Sequence, residues 1–171
     1  PGQERPDLRA LLVDYQGRGE LEAGEQFDAA LALTNGDRDD AKPNGRLSAH
    51  FRPRRIEIVN NSLIDNAHAI EIGYANASKK PWRKVPQEIL LANNLVTGRK
   101  TELVKIYTSP ETCWWKNNLF WPTGSATVGP VPSDSVSNTT SDPGLRRQGR
   151  FQVPAPASPA IDAGLPCHYV T

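Results

Sequence analysis

The sequence has no methionine, two cysteines and few aromatic residues, at 7% of its 171 positions. Two cysteines set no disulfide framework, so packing and hydrogen bonding must hold the fold. Cys113 falls in an apolar strand pattern and reads as a buried thiol rather than half of a bridge to Cys167. No run approaches the roughly 18 apolar residues of a membrane-spanning helix, and no signal-peptide pattern opens the chain. Pro1 stands where an initiator methionine would, which points to processing or truncation upstream. Charge of one sign is also lacking: 20 Lys and Arg face 19 Asp and Glu. Net charge therefore selects no class of partner, and its local distribution must. The three histidines, His50, His68 and His168, lack metal-ligand spacing. There is no Ser-His-Asp order, no Gly-rich phosphate loop and no CxxC. What is plentiful is punctuation. Fifteen Pro and thirteen Gly imply short elements and many bends rather than a helix bundle.

Against that background one phrase repeats. RRIEIVNNSLIDN (54–66) carries two adjacent asparagines between apolar runs, and QEILLANNLV (87–96) and TCWWKNNLFW (112–121) carry the same pattern. The pairs fall 33 and 24 residues apart. A second strand-like run follows two of them: AHAIEIG (67–73), with Ile70 and Ile72, and TELVKIYT (101–108), with Val104 and Ile106. An earlier copy, AALALTNG (29–36), carries Leu31 and Leu33. The surplus length lies in one place, between this run and the next Asn-Asn strand: 74–87 in one repeat, 109–112 in the following one.

Short period-two strands recurring at 20-odd residues, with insertions at one corner, mark a solenoid built from strands. The expected fold is all-β: a right-handed parallel β-helix. Each turn of it must bend sharply, and Asn enters the left-handed backbone region more readily than other non-glycine residues. Stacked turns also set one carboxamide above another. Each carries a donor and an acceptor, so a column at Asn61, Asn94 and Asn118 satisfies itself away from water. Three unrelated Asn turns in an antiparallel fold are the alternative. Residues 1–28 form a segment leading in, with Leu8, Leu11, Leu12 and Val13 compatible with a short helix or a strand. Coils occupy 29–121, and 122–171 is a Pro/Ser/Gly-rich cap segment lying over the end, through which Val128, Val136, Leu145, Phe151, Val153 and Ile161 recur. Asn60, Asn76 and Asn138 open N-x-S/T sequons, a pattern that chance often supplies.

Charge concentrates in the two insertions. Residues 34–55 hold Arg38, Lys42, Arg46, Arg52, Arg54 and Arg55 against Asp37, Asp39 and Asp40. Residues 74–87 hold Lys79, Lys80, Arg83 and Lys84 with no acid, and Trp82 stands among these cations. Both leave the strands at one corner and so should be neighbours. Clustered cations concentrate a polyanion, an effect that salt weakens, and the Trp82 ring suits a sugar face. A solvated basic loop is the alternative, and nucleic acid is a minor candidate partner. With Ile70, Ile72, Val104 and Ile106 inward, alternation turns Glu71, Lys105 and Tyr107 outward. Glu71 and Lys105 then sit on adjacent coils about 4.8 Å apart. They form either a cross-coil salt bridge or a substrate contact. An adjacent carboxylate favours the ammonium form, so Lys105 is not assigned as a base.

The ordered set AALALTNG, IEIVNNSLIDNAHAIEIG, EILLANNLV, DPGL and ASPAIDAG (157–164) resembles the later coils of polysaccharide lyase family 6, over roughly residues 20–165. That family comprises chondroitinase B and alginate lyase enzymes, which are right-handed parallel β-helices. The resemblance implies β-elimination on acidic, uronate-containing polysaccharide. A calcium ion held by acidic and amide side chains neutralises the uronate carboxylate, a lysine removes the C5 proton, and an arginine assists the leaving group. The segment before AALALTNG lacks the family's paired-glutamate and lysine pattern and its Arg-His pair. No calcium ligand set and no catalytic residue are therefore assigned here. The chain is expected to be the C-terminal part of such a lyase, secreted or periplasmic, with further coils or another chain covering its open end. Arg38, Arg46, Arg54, Glu71, Lys79, Lys80, Trp82, Arg83, Lys105 and Tyr107 are its expected substrate contacts. A non-catalytic carbohydrate-binding or surface β-helix is the other reading.

Overall fold

Strands and turns account for the regular structure. The computed structural model describes residues 29–36, 52–66, 68–73, 83–131, 135–149 and 151–164, and among these there is no helix. The strands are β1 (Ala29–Leu33), β2 (Arg54–Val59), β3 (Ser62–Leu63), β4 (His68–Ile72), β5 (Gln87–Ala92), β6 (Leu95–Gly98), β7 (Val104–Ile106), β8 (Cys113–Lys116), β9 (Leu119–Pro122), β10 (Thr139–Thr140), β11 (Leu145–Gln148) and β12 (Phe151–Pro154).

The chain visits three sheets in a fixed rotation. Sheet I is β1-β4-β7, sheet II is β2-β5-β8 and sheet III is β3-β6-β9-β10. Every strand pair within the three is parallel. The protein is thus all-β, with parallel sheets whose neighbouring strands are separated by a full circuit of the chain. The rotation extends past residue 121. Val104 donates its N–H to Val128 at 3.0 Å, Val136 bridges Lys116 in parallel, and β10 pairs with β9.

The register explains the core. Leu31, Ile70 and Val104 align across sheet I, as do Leu33, Ile72 and Ile106. Ile56, Ile89 and Cys113 align in sheet II, beside Ile58, Leu91 and Trp115. Leu63, Val96 and Phe120 align in sheet III. Each column holds like above like, so one apolar pattern repeated three times makes a continuous interior. Complete burial of such a side chain is worth about 1.5–3 kcal/mol. The Trp115 and Phe120 rings close the third level at a centroid distance of 6.3 Å. Cys113 occupies its expected column but is half-buried rather than enclosed. Cys167 lies outside the described residues.

The Asn pairs divide their labour. The first member of each pair takes the left-handed conformation: Asn60 (φ 59), Asn93 (φ 56) and Asn117 (φ 50). The second member stacks. Asn61 donates its backbone N–H to Asn94 Oδ1 at 3.0 Å and its side-chain Nδ2 to the same oxygen at 3.1 Å. Asn94 repeats both bonds to Asn118 Oδ1, at 3.1 and 2.9 Å. Asn118 repeats them to Asn138 Oδ1, both at 2.8 Å. Each later Nδ2 also meets a main-chain carbonyl of the preceding level, Ile58 for Asn94, Leu91 for Asn118 and Trp115 for Asn138, while Asn61 Nδ2 meets Val59 O on its own level. Asn138, read from sequence only as a sequon, is the fourth member. The residue before it, Ser137, takes the corresponding turn conformation with φ 54.

Residues 122–131 and 135–140 lie over the third level through the bonds of Val128, Val136 and Asn138, and the chain after them runs along the flank. Asn117 Nδ2 donates to Ala163 O at 3.0 Å, and Gly164 packs against the Asn93 side chain one level earlier. Between them, β11 and β12 form an antiparallel hairpin. A cleft of about 320 Å³ separates this hairpin from Asp65, Thr97, Arg99 and Trp121, which belong to three successive levels. Of the apolar residues that recur in this segment, Val128 packs on the core, whereas Val136, Phe151 and Ile161 are exposed. Recurrence there marks extended chain, not inward-facing positions.

Candidate functional site

The outer side of sheet I brings together three of the expected contact residues. Glu71 on β4 and Lys105 on β7 are register partners, and Tyr107 follows Lys105 by two residues. Strand alternation puts all three on the side opposite Ile70 and Ile72. The expected salt bridge is not what forms. Lys105 Nζ lies over the Tyr107 ring, 5.0 Å from its centroid. Tyr107 in turn donates its hydroxyl to Glu71 Oε1 at a long 3.5 Å. Glu71 departs from expectation in a second way. It faces outward by register yet is only 6% exposed, so its carboxylate is a covered group and not an open surface acid. Alternation decides which side of a sheet a residue takes, not what else covers that side.

The far end of sheet I is tied off by a cross-level bond that needs a glycine. Asn35 Nδ2 donates to Thr108 Oγ1 at 3.3 Å, spanning two levels. Gly73 lies between them with φ +88, and a Cβ there would fall on the Thr108 backbone N and hydroxyl. Just beyond, Gly36 and Lys84 exchange both backbone hydrogen bonds at 2.8 Å in an antiparallel bridge. Gly36 lies near the start of the first basic insertion and Lys84 near the end of the second. The two insertions therefore meet, as their common corner required, and exposed Arg83 and half-buried Lys84 stand at the junction.

On the sheet II side of that corner the cations are organised in a column. Each strand of the sheet is entered through a proline, Pro53, Pro86 or Pro110, and Gln87 and Glu111 donate their N–H groups to Pro53 O and Pro86 O. Arg54 donates to Gln87 Oε1 at 3.0 and 2.7 Å. Arg52 reaches the same oxygen at 2.9 Å and pairs with Glu111 at 2.7 Å. Arg54 is thus exposed but already engaged by an amide. Arg52, the better anchored of the two, was not among the expected contacts. Arg38, Arg46, Lys79, Lys80 and Trp82 lie outside the described residues.

Chemically, this arrangement presents cations beside an aromatic ring. Among the described residues no group of three or more His, Cys, Asp or Glu side chains is placed to hold a metal ion. Nor is any described helix long and apolar enough to cross a membrane. No family model, curated protein or solved structure matches the chain. Its function is therefore argued from the residues themselves.

One further surface was missed as a site. On the outer side of sheet II, Glu57, Leu90 and Trp114 align in register, with Lys116 beside Trp114 on the same side. The signal was present: in TCWWKNN, alternation with Cys113 and Trp115 inward leaves Trp114 outward.

Proposed function

We propose that the three parallel sheets are faces of a right-handed parallel β-helix. We further propose that the chain is the C-terminal part of a lyase cleaving acidic, uronate-containing polysaccharide by β-elimination, this segment gripping the polymer. The fixed rotation through three parallel sheets supports the first part, and the overwhelming preference of parallel crossovers for one hand supports the handedness. The observation that carries the functional part is the Gly36–Lys84 bridge. It joins the two basic insertions beside the sheet that presents Lys105 and Tyr107. A uronate chain is a polyanion of pyranose rings, and such a corner offers cations to its carboxylates and aromatic faces to its rings. The motifs AALALTNG, NN-x-L and AIEIG support the lyase class, and alginate or a glycosaminoglycan the substrate class. Calcium belongs to this reading as part of the family's chemistry; no described residue is assigned to it.

A non-catalytic carbohydrate-binding β-helix is the second reading. The placement of Lys105 against the Tyr107 ring suits holding a sugar and is compatible with both readings. Mixing the protein with alginate and with dermatan sulfate, with and without calcium, and following the ultraviolet absorbance of unsaturated uronate separates the two. Product formation supports the lyase. Retained polymer and no product support the binding protein, and neither product nor retention rejects both.

A further inference from the structure

We propose that the outer side of sheet II is a second glycan site, for a neutral hexopyranose chain stacked on Trp114. The Trp114 side is distinct from the basic corner. It is an open groove of about 440 Å³ lined by Arg55, Glu57, Glu88, Leu90, Trp114 and Lys116. That volume lies within the roughly 300–1,000 Å³ usual for small-ligand sites.

Three features select the occupant. Trp114 is 46% exposed whereas its neighbour on the same strand, Trp115, is 2% exposed, so an apolar plane is left facing solvent. The electron-rich face of an indole attracts the C–H groups on the flat side of a pyranose, and charged neighbours supply hydrogen bonds to its hydroxyls. Glu57, Leu90 and Trp114 are register partners on three successive strands, a straight row of about 10 Å that suits a linear polymer. The charges balance. Arg55 and Glu88 pair with each other at 3.2 Å across the rim, on the outer side that alternation with Ile56 and Ile89 assigns them. Glu57 and Lys116 are the remaining pair of opposite charges. A groove of zero net charge gives a polyuronate no net attraction, so a neutral sugar matches it better.

The test is calorimetric titration of the protein with cellohexaose, β-1,4-mannohexaose and an alginate hexamer. At least one of the two neutral hexamers binds, and Trp114→Ala weakens it at least tenfold while leaving the alginate hexamer's affinity unchanged. Glu57→Gln, which keeps the side-chain volume, weakens the neutral hexamer severalfold, and circular dichroism of both variants shows the fold intact. Lys105→Ala leaves neutral binding unchanged, which separates this site from the basic corner. Absence of binding by both neutral hexamers at millimolar concentration overturns the proposal. So does a Trp114→Ala protein that binds as the parent does, or one whose only defect is loss of self-association.

Discussion

Asn94 gives both its backbone N–H and its side-chain NH₂ to a single acceptor, the carboxamide oxygen of Asn118, at 3.1 and 2.9 Å. Its own oxygen receives the same two bonds from Asn61, and its Nδ2 closes on Ile58 O at 2.8 Å. Every polar atom of a buried amide is therefore used. Replacing Asn94 with Leu takes the acceptor from the Asn61 backbone N–H and the Asn94 donor from the Ile58 carbonyl, while Asn61 Nδ2 keeps Val59 O, and each orphaned group costs about 1–3 kcal/mol. Asn94→Leu is expected to destabilise by at least about 3 kcal/mol in urea denaturation. Asn61→Leu, at the half-exposed first position of the column, is expected to cost roughly a third of that.

Asn117 does a different job from its neighbour. At φ 50 it pays a steric cost that glycine escapes. Asn117→Ala is expected to be less stable than Asn117→Gly by about 1 kcal/mol, the reverse of the order found in ordinary helix and strand positions. Both lose the bond to Ala163 O, so their difference isolates the backbone term. Equal denaturation midpoints for the two would show that the turn conformation is not what the first asparagine supplies.

Gly129 and Gly149 both have positive φ, 90 and 62, but only one is enclosed. A Cβ on Gly129 would fall on the Val104 carbonyl oxygen, whereas Gly149 has nothing within 4 Å. Gly149→Ala is expected to cost about 1 kcal/mol from backbone strain alone. Gly129→Ala must in addition push apart the level that carries the Val104–Val128 bond. Thermal denaturation is expected to rank it well below Gly149→Ala.

The basic corner predicts a salt-dependent grip. Lys84→Ala and Lys105→Ala are each expected to weaken alginate binding about fivefold, corresponding to roughly 1 kcal/mol per exposed ionic contact. Raising ionic strength should shrink both effects, because exposed charges are screened beyond about 10 Å at 0.1 M salt. Affinity electrophoresis in alginate-containing gels at two salt concentrations measures this. Identical retardation of parent and variants would remove the corner from the binding surface.

How much of this could be read from residues alone differs between the fold and the sites. The columns Ile58–Leu91–Trp115 and Leu63–Val96–Phe120 were legible because a repeated alternation places the same side of each strand inward. Asn138 was not legible as a member of the amide column. It follows Ser137 rather than a second asparagine, and the apolar frame around it is gone. Trp114 was legible as outward, but its part in a groove depended on Arg55 and Glu88 of the two neighbouring strands meeting at the rim.

Local pattern by itself determined the strand periodicity, the inward set and the corner at which both insertions leave, since these follow from alternation and from where extra residues fit. Tertiary structure alone decided the burial of Glu71, the turn of Lys105 toward Tyr107 and the course of residues 163–164 beside Asn93 and Asn117. Those depend on which distant segments share a surface, and period-two alternation carries no information about what lies across it.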